Sequence, residues 1–308
     1  MKNKLILFTL IAFLLFSCKD KNDGMVANKA KEVLNVAYGN DSLQKMDVYF
    51  PDGFNTETPV VFLIHGGGFI AGKKEDFKMQ AQLFREQQFI TVNLSHRLIN
   101  SKGLLTLPPT HMASNVKISD EVSDINLAVQ KYMQSAADWS SGTKRMYMAG
   151  HSAGATLSML YVQGDYNKDD KIKASGNWAG LTDLSIPHDS LLPYLDPRYI
   201  ELLYRSTGQT PDKAHALFFM AVSPYWVANN NKGHPNISIF PERNIIFNTE
   251  GEAEFALKNT QNFHDMLHNK GVTEKLSVYK NEDHGFGTYP DSWKKLIAET
   301  AAFFRGIK

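Results

Sequence analysis

The chain has 308 residues, 43% hydrophobic and 21% charged, with 33 basic and 32 acidic residues and a formal net charge of +1. That is enough apolar material for one large α/β domain or two small ones, and the near-neutral balance, without a long basic stripe, excludes charge-driven binding to nucleic acid or an anionic membrane. Cys18 is the single cysteine, so an internal disulfide is excluded and stability rests on the core.

Lys2 and Lys4 precede an apolar run at 5–16, followed by Ser17 and Cys18. Twelve apolar residues are too few for a membrane-spanning helix, which takes roughly 20, and the pattern is that of an export signal. "LFSC" at 15–18 resembles the lipobox of bacterial lipoproteins, in which the cysteine is lipidated and becomes the first mature residue. The expected organisation is a signal peptide at 1–17, a polar tether at 18–30 and one domain at 31–308, exported to the cell envelope (periplasm or cell surface) on a lipid anchor.

Runs at 33–38 and 45–50 flank "GNDS", which supplies turn chemistry for an antiparallel pair. The almost continuous apolar run at 60–64 predicts a strand buried on both faces, and 89–94 predicts the next. Residues 120–134 place Val122, Ile125, Ala128, Val129, Tyr132 and Met133 on one helical face, with Ser119 as the expected cap. Strands are predicted at 145–149, 174–179, 244–247 and 274–279, and helices at 154–162, 254–270 and 292–304. The less regular stretch 181–240 reads as a small helical cap. Alternating strands and helices give a mostly parallel sheet covered on both faces, with ligands beyond the carboxyl ends of its strands.

Chemistry gathers at those ends. "GHSAG" at 150–154 is G-x-S-x-G between a strand and a helix, a sharp turn that lifts the Ser152 hydroxyl above the sheet. Serine needs a base, and His284 in "NEDHGFG" follows the last strand. The imidazole needs a carboxylate to orient it. "NTEGEAEF" offers Glu252 first, then Glu250 and Glu254, with Asp283 as a fourth candidate. His65-Gly66-Gly67-Gly68 follows the strand at 60–64, where backbone amides without side chains can approach an oxyanion. The amides of Gly67, Gly68 and Ala153 are the expected donors.

"HGGGF" 65–69, "GHSAG" 150–154 and "DHGFG" 283–287 together resemble the α/β-hydrolase fold, specifically esterases and lipases with an HGGG loop. "VNLSHRL" 92–98, "SDEVSDINLAV" 119–129 with Asp124, and "SPYW" 223–226 extend the resemblance over residues 34–306. It is similar to the hormone-sensitive-lipase, acetyl esterase and kynurenine-formamidase-like groups. The resemblance implies a serine carboxylic-ester hydrolase without a cofactor, acting on a small-molecule ester. An acetyl-type ester of an acylated glycan or an aryl alcohol is the leading expectation. The family commonly has Asp as the acid, where the segment after the strand expected at 244–247 offers only Glu. An amidase, formamidase or peptidase on the same triad, and a catalytically silent surface binding protein, are the rival readings.

Other signals point elsewhere. "DYNKDDK" 165–171 lacks the glycine and the closing glutamate of a calcium loop. His264 and His268 share a helical face without an evident third zinc ligand, and are expected on its solvent side. Phe69, Trp178, Tyr194 and Trp226 are candidates to line an acyl or alcohol pocket, with core packing the ordinary alternative.

Overall fold

The computed structural model describes residues 28–185, 195–246 and 251–307. The segments expected as signal peptide and, for the most part, tether, with Cys18, and also Tyr194 and Glu250, lie outside them. The strands are β1 (Lys31–Ala37), β2 (Lys45–Phe50), β3 (Val60–Ile64), β4 (Ile90–Leu94), β5 (Met146–His151), β6 (Ile172–Trp178), β7 (Asn236–Arg243) and β8 (Glu274–Asp283). The helices are α1 (Lys78–Glu86), α2 (Ile118–Ser135), α3 (Ala153–Gln163), α4 (Pro197–Thr207), α5 (Ala216–Ala221), α6 (Pro224–Asn230), α7 (Glu252–Asn269) and α8 (Ser292–Gly306).

The strands form one sheet in the order β1-β2-β4-β3-β5-β6-β7-β8. β1 and β2 are antiparallel to each other, and β2 to β4, while every pairing from β4 to β8 is parallel. Side chains alternate across the sheet with period two. Val60, Phe62 and Ile64 of β3 therefore join the core beneath α2, α3 and α4, whereas Val61 and Leu63 join the core shared with α1 and α8. Burial on both faces explains why these strands read as unbroken apolar runs.

Three local expectations are corrected. α1 was not anticipated; its stripe of Gln80, Ala81 and Phe84 is short and partly polar. Ser119 does not cap α2. Lys117 is the cap residue, and its amide donates to Asp120 Oδ2 at 2.9 Å. The strand expected at 244–247 is β7, eight residues earlier. "NISIF" carries Asn and Ser among its apolar residues, but all five are buried, while the more apolar Ile245 and Ile246 are exposed. The cap accordingly ends where β7 begins.

The loop after β4 is fastened to α2 by a buried carboxylate. Asp124 accepts the Arg97 amide at 2.9 Å, its guanidinium at 2.6–3.1 Å and Gln44 Nε2 at 2.7 Å. Arg97→Met strips the cation from a fully buried anion, which is costly when one partner goes. Urea unfolding of that variant is expected to show a loss of about 3 kcal/mol; an unchanged midpoint would mean that the pair is not part of the fold's stability.

Candidate active site

The first residues beyond β3, β5, β7 and β8 meet above the carboxyl edge of the sheet. Ser152 stands between β5 and α3 with φ 54° and ψ −125°, a left-handed conformation that non-glycine residues adopt at a cost of roughly 1–3 kcal/mol. Its amide donates to the Trp178 carbonyl at 2.8 Å, pinning the turn to the end of β6. The surroundings leave no room for side chains. A Cβ on Gly154 would lie 2.2 Å from the His65 carbonyl oxygen and 2.3 Å from that of Ile64. α3 thus starts directly against the end of β3 because residue 154 is glycine.

Ser152 Oγ lies 2.9 Å from His284 Nε2. A hydroxyl donating to that nitrogen requires the imidazole proton on Nδ1. His151, the second residue of the turn, donates from Nε2 to the His284 carbonyl at 2.7 Å, so the elbow also holds the backbone of the histidine loop. Phe77, Phe286 and Trp293 pack around the His151 ring. The Trp293 indole donates to the Gly285 carbonyl at 3.1 Å, which further fixes the loop.

Among the described residues, the partner of His284 Nδ1 is not a glutamate. It is Asn244, one residue past β7, whose Oδ1 accepts at 2.5 Å. The expectation for Glu252 is corrected: it is the first residue of α7, and its Oε1 accepts the Ile246 amide at 2.7 Å. Glu254 is exposed on the same turn. Asp283 Oδ1 accepts the amides of Gly285 at 3.0 Å and Gly287 at 3.3 Å within its own loop. The physical reason is the position of β7. A strand ending at Arg243 delivers residue 244 to the histidine. Reading "NISIF" as the strand was the signal that would have found Asn244.

The glycine loop lies alongside. Gly67 has φ 122° and Gly68 φ 61°, and a Cβ on Gly67 would meet the Ala71 carbonyl oxygen at 2.1 Å. The Gly67 carbonyl accepts the amides of Ile70 and Ala71. The amides of Gly67, Gly68 and Ala153 are not taken up by any hydrogen bond among the described residues, and these residues border the same cavity as Ser152 and His284. Behind the loop the His65 ring stacks on His96 at 4.5 Å and 8°.

That cavity has a volume of about 650 Å³. Its wall is mainly apolar, built by Leu104, Leu181, Leu195, Leu202, Leu203 and Phe255, with Arg198 paired to Asp196 at 2.6 Å on its border. Phe69 lines it. Trp178 belongs to the core on the other side of the sheet, and the Trp226 indole donates to Ser185 Oγ at 3.2 Å. No group of metal-ligating side chains occurs among the described residues. His264, expected on a solvent-facing surface, is instead buried, between Glu274 at 2.7 Å and Ser238 at 2.8 Å.

Residues 46–190 match the BD-FAE family model. Kynurenine formamidase of Salmo salar is 29% identical over 160 residues, covering 50% of this chain and 48% of that protein. A probable isoprenylcysteine alpha-carbonyl methylesterase of Arabidopsis thaliana is 22% identical over 255 residues, covering 81% of this chain and 50% of that protein. The chain therefore spans about half the length of the curated relatives it matches. Among solved structures, an inhibited esterase B from Lactobacillus rhamnosis superposes with a TM-score of 0.66 at 16% identity, over 90% of this chain and 87% of that one. Butyrate-bound Est2 of Thermogutta terrifontis superposes with 0.63 at 19% identity, over 92% and 95%. The fold is that of the α/β-hydrolases.

Burial holds six histidines below the ordinary imidazole range: His65, His96, His151, His234, His264 and His284, with His96 and His284 pushed down to about 3. Below about pH 6.5 the unfolded chain protonates these rings and the folded chain does not, so stability falls as the pH falls. Glu121, raised by burial, acts in the opposite sense, but it is one group against six. The urea midpoint is expected to be lower at pH 5 than at pH 7; an equal or higher midpoint at pH 5 would show that these rings are not held neutral.

Proposed function

We propose that this protein is a serine carboxylic-ester hydrolase working through an acyl-enzyme. The observation that carries the proposal is Ser152 Oγ, held on a left-handed turn, hydrogen-bonded to His284 Nε2 and bordering one cavity with Gly67, Gly68 and Ala153. Ser152 attacks the ester carbonyl as His284 takes its proton. The carbonyl oxygen gains negative charge and is met by preorganised amides, each worth roughly 3 kcal/mol in the transition state. His284 then gives the proton to the leaving alkoxide, and water releases the acyl group by the same route.

An acetyl-type acyl group fills little of a cavity of about 650 Å³. With a short acyl chain, the apolar volume is left for a bulky or aromatic alcohol. A formamidase reading has support in the Salmo salar relative, since the same groups cleave an N-formyl amide by the same steps. The esterase reading is preferred because relatives and structural neighbours named esterases recur over more of the chain.

The proposal extends to location. The apolar run at 5–16 serves as an export signal and Cys18 as the lipid attachment point. Lys31 pairs with Phe50 at the sheet end opposite the catalytic loops. A chain anchored upstream of Lys31 is then joined to its anchor at the sheet end away from the cavity.

Hydrolysis of p-nitrophenyl acetate, butyrate and octanoate, beside an N-formyl aromatic amide, tests the proposal. The esters are expected to turn over, with kcat falling at least roughly 1,000-fold in Ser152→Ala. Cleavage of the formamide alone would establish the formamidase reading, and ester turnover unchanged in Ser152→Ala would remove Ser152 as nucleophile.

A further inference from the structure

We infer that Asn244 is the positioning residue of the Ser152–His284 pair, so that a neutral amide orients the imidazole where the usual arrangement has a carboxylate; the inference rests on the esterase reading of this site. The juxtaposition is set by sheet register. Arg243 of β7 pairs with Asp283 of β8, and the next residue of each strand is Asn244 and His284. Two adjacent parallel strands thus carry both side chains to the same place. Asn244 is 1% exposed, so its hydrogen bond to His284 forms out of competition with water.

The orientation of the amide decides the chemistry. With Oδ1 towards His284, Nδ1 keeps its proton and Nε2 presents a lone pair to the Ser152 hydroxyl. The reversed amide would put a donor against Nδ1, force the proton onto Nε2 and leave Ser152 without a base. Asn244 Nδ2 has no hydrogen-bond partner among the described residues.

An amide fixes the tautomer as a carboxylate does, but it adds no negative charge to stabilise the imidazolium. Among the described residues, the groups facing His284 do not make up the difference. His151, from the β5–α3 turn, disfavours the charged ring, and burial disfavours it more. Asp283 favours it, but its carboxylate is turned to the amides of its own loop. Glu252 borders the cavity from α7 with its carboxylate on the Ile246 amide. Forming the imidazolium is therefore the expensive part of serine attack here. Esters with good leaving groups, such as aryl esters, need least from the base, whereas alkyl amides need most.

The test compares wild type, Asn244→Ala and Asn244→Asp in pH profiles of kcat and KM on p-nitrophenyl butyrate, with Ser152→Ala as the control for the esterase reading. Asn244→Ala is expected to lose kcat on the order of 100-fold or more with KM little changed, as when the imidazole loses its tautomer. Asn244→Asp is expected to retain or exceed wild-type kcat near neutral pH, and to move the acid limb of the profile up by roughly 1 to 3 pH units, the effect of a new anion on an adjacent histidine. Wild-type kcat in Asn244→Ala, an unmoved acid limb in Asn244→Asp, or a larger loss in Glu252→Gln than in Asn244→Ala would overturn the inference. Nitrogen-15 NMR of the imidazole needs no turnover. A protonated Nδ1 on His284 in wild type and in Ser152→Ala, lost in Asn244→Ala, supports it; an Nε2–H tautomer overturns it. Full activity in Ser152→Ala would instead bring down the esterase reading.

Discussion

The site depends on a contact in which no side chain takes part. At Gly154 the first turn of α3 rests against the carbonyl oxygens of Ile64 and His65, closer than any Cβ permits. This approach brings the glycine loop after β3 beside the serine turn after β5, so Gly67, Gly68 and Ala153 border one cavity with Ser152. The strained backbone of Ser152 belongs to the same constraint. Its left-handed turn persists because β6 holds the Ser152 amide through the Trp178 carbonyl and α3 follows at once. Strain of this kind is tolerated where packing over-determines it.

The second half of the site comes from the far strands. β7 and β8 pair in parallel with a register shift between Pro241 and Arg243, and the residues after the Arg243–Asp283 pair are the amide and the imidazole of one hydrogen bond. His151 links the two halves, since it belongs to the serine turn but donates to the carbonyl of His284. Ser152 and His284 are therefore fixed to each other twice, once through the Ser152 hydroxyl and once through the backbone. A dry surround of Phe77, Phe286 and Trp293 removes competing water from that link. The same burial keeps His284 neutral, the state in which it can accept a proton.

Much of this was legible in the chain because local chemistry and tertiary role coincide. Ser152 and the glycines stand at turns that only small residues fit, directly after strands whose two-sided burial makes them uniformly apolar. His284 follows a strand bounded by polar residues. The third position was not legible for the opposite reason. β7 mixes Asn, Ser and Pro with its apolar residues, and its neighbours Ile245 and Ile246 read as the better strand although they face solvent. Shifting the strand also shifted the search for an acid to glutamates that begin α7. A search confined to carboxylates would in any case have passed over Asn244, since an amide there is recognised by its place against the imidazole and not by its charge. α1 escaped because its buried stripe is too short to stand out, and the pairing of His264 with Glu274 and Ser238 appears only once α7 packs on the sheet.

The most direct measurement is intact-protein mass spectrometry on samples quenched within milliseconds of mixing with p-nitrophenyl butyrate, followed by peptide mapping. A butyryl adduct on the peptide containing Ser152, absent when that residue is alanine, is the result predicted for an acyl-enzyme. Turnover without an adduct, or an adduct on another residue, would contradict the account of Ser152 as the nucleophile.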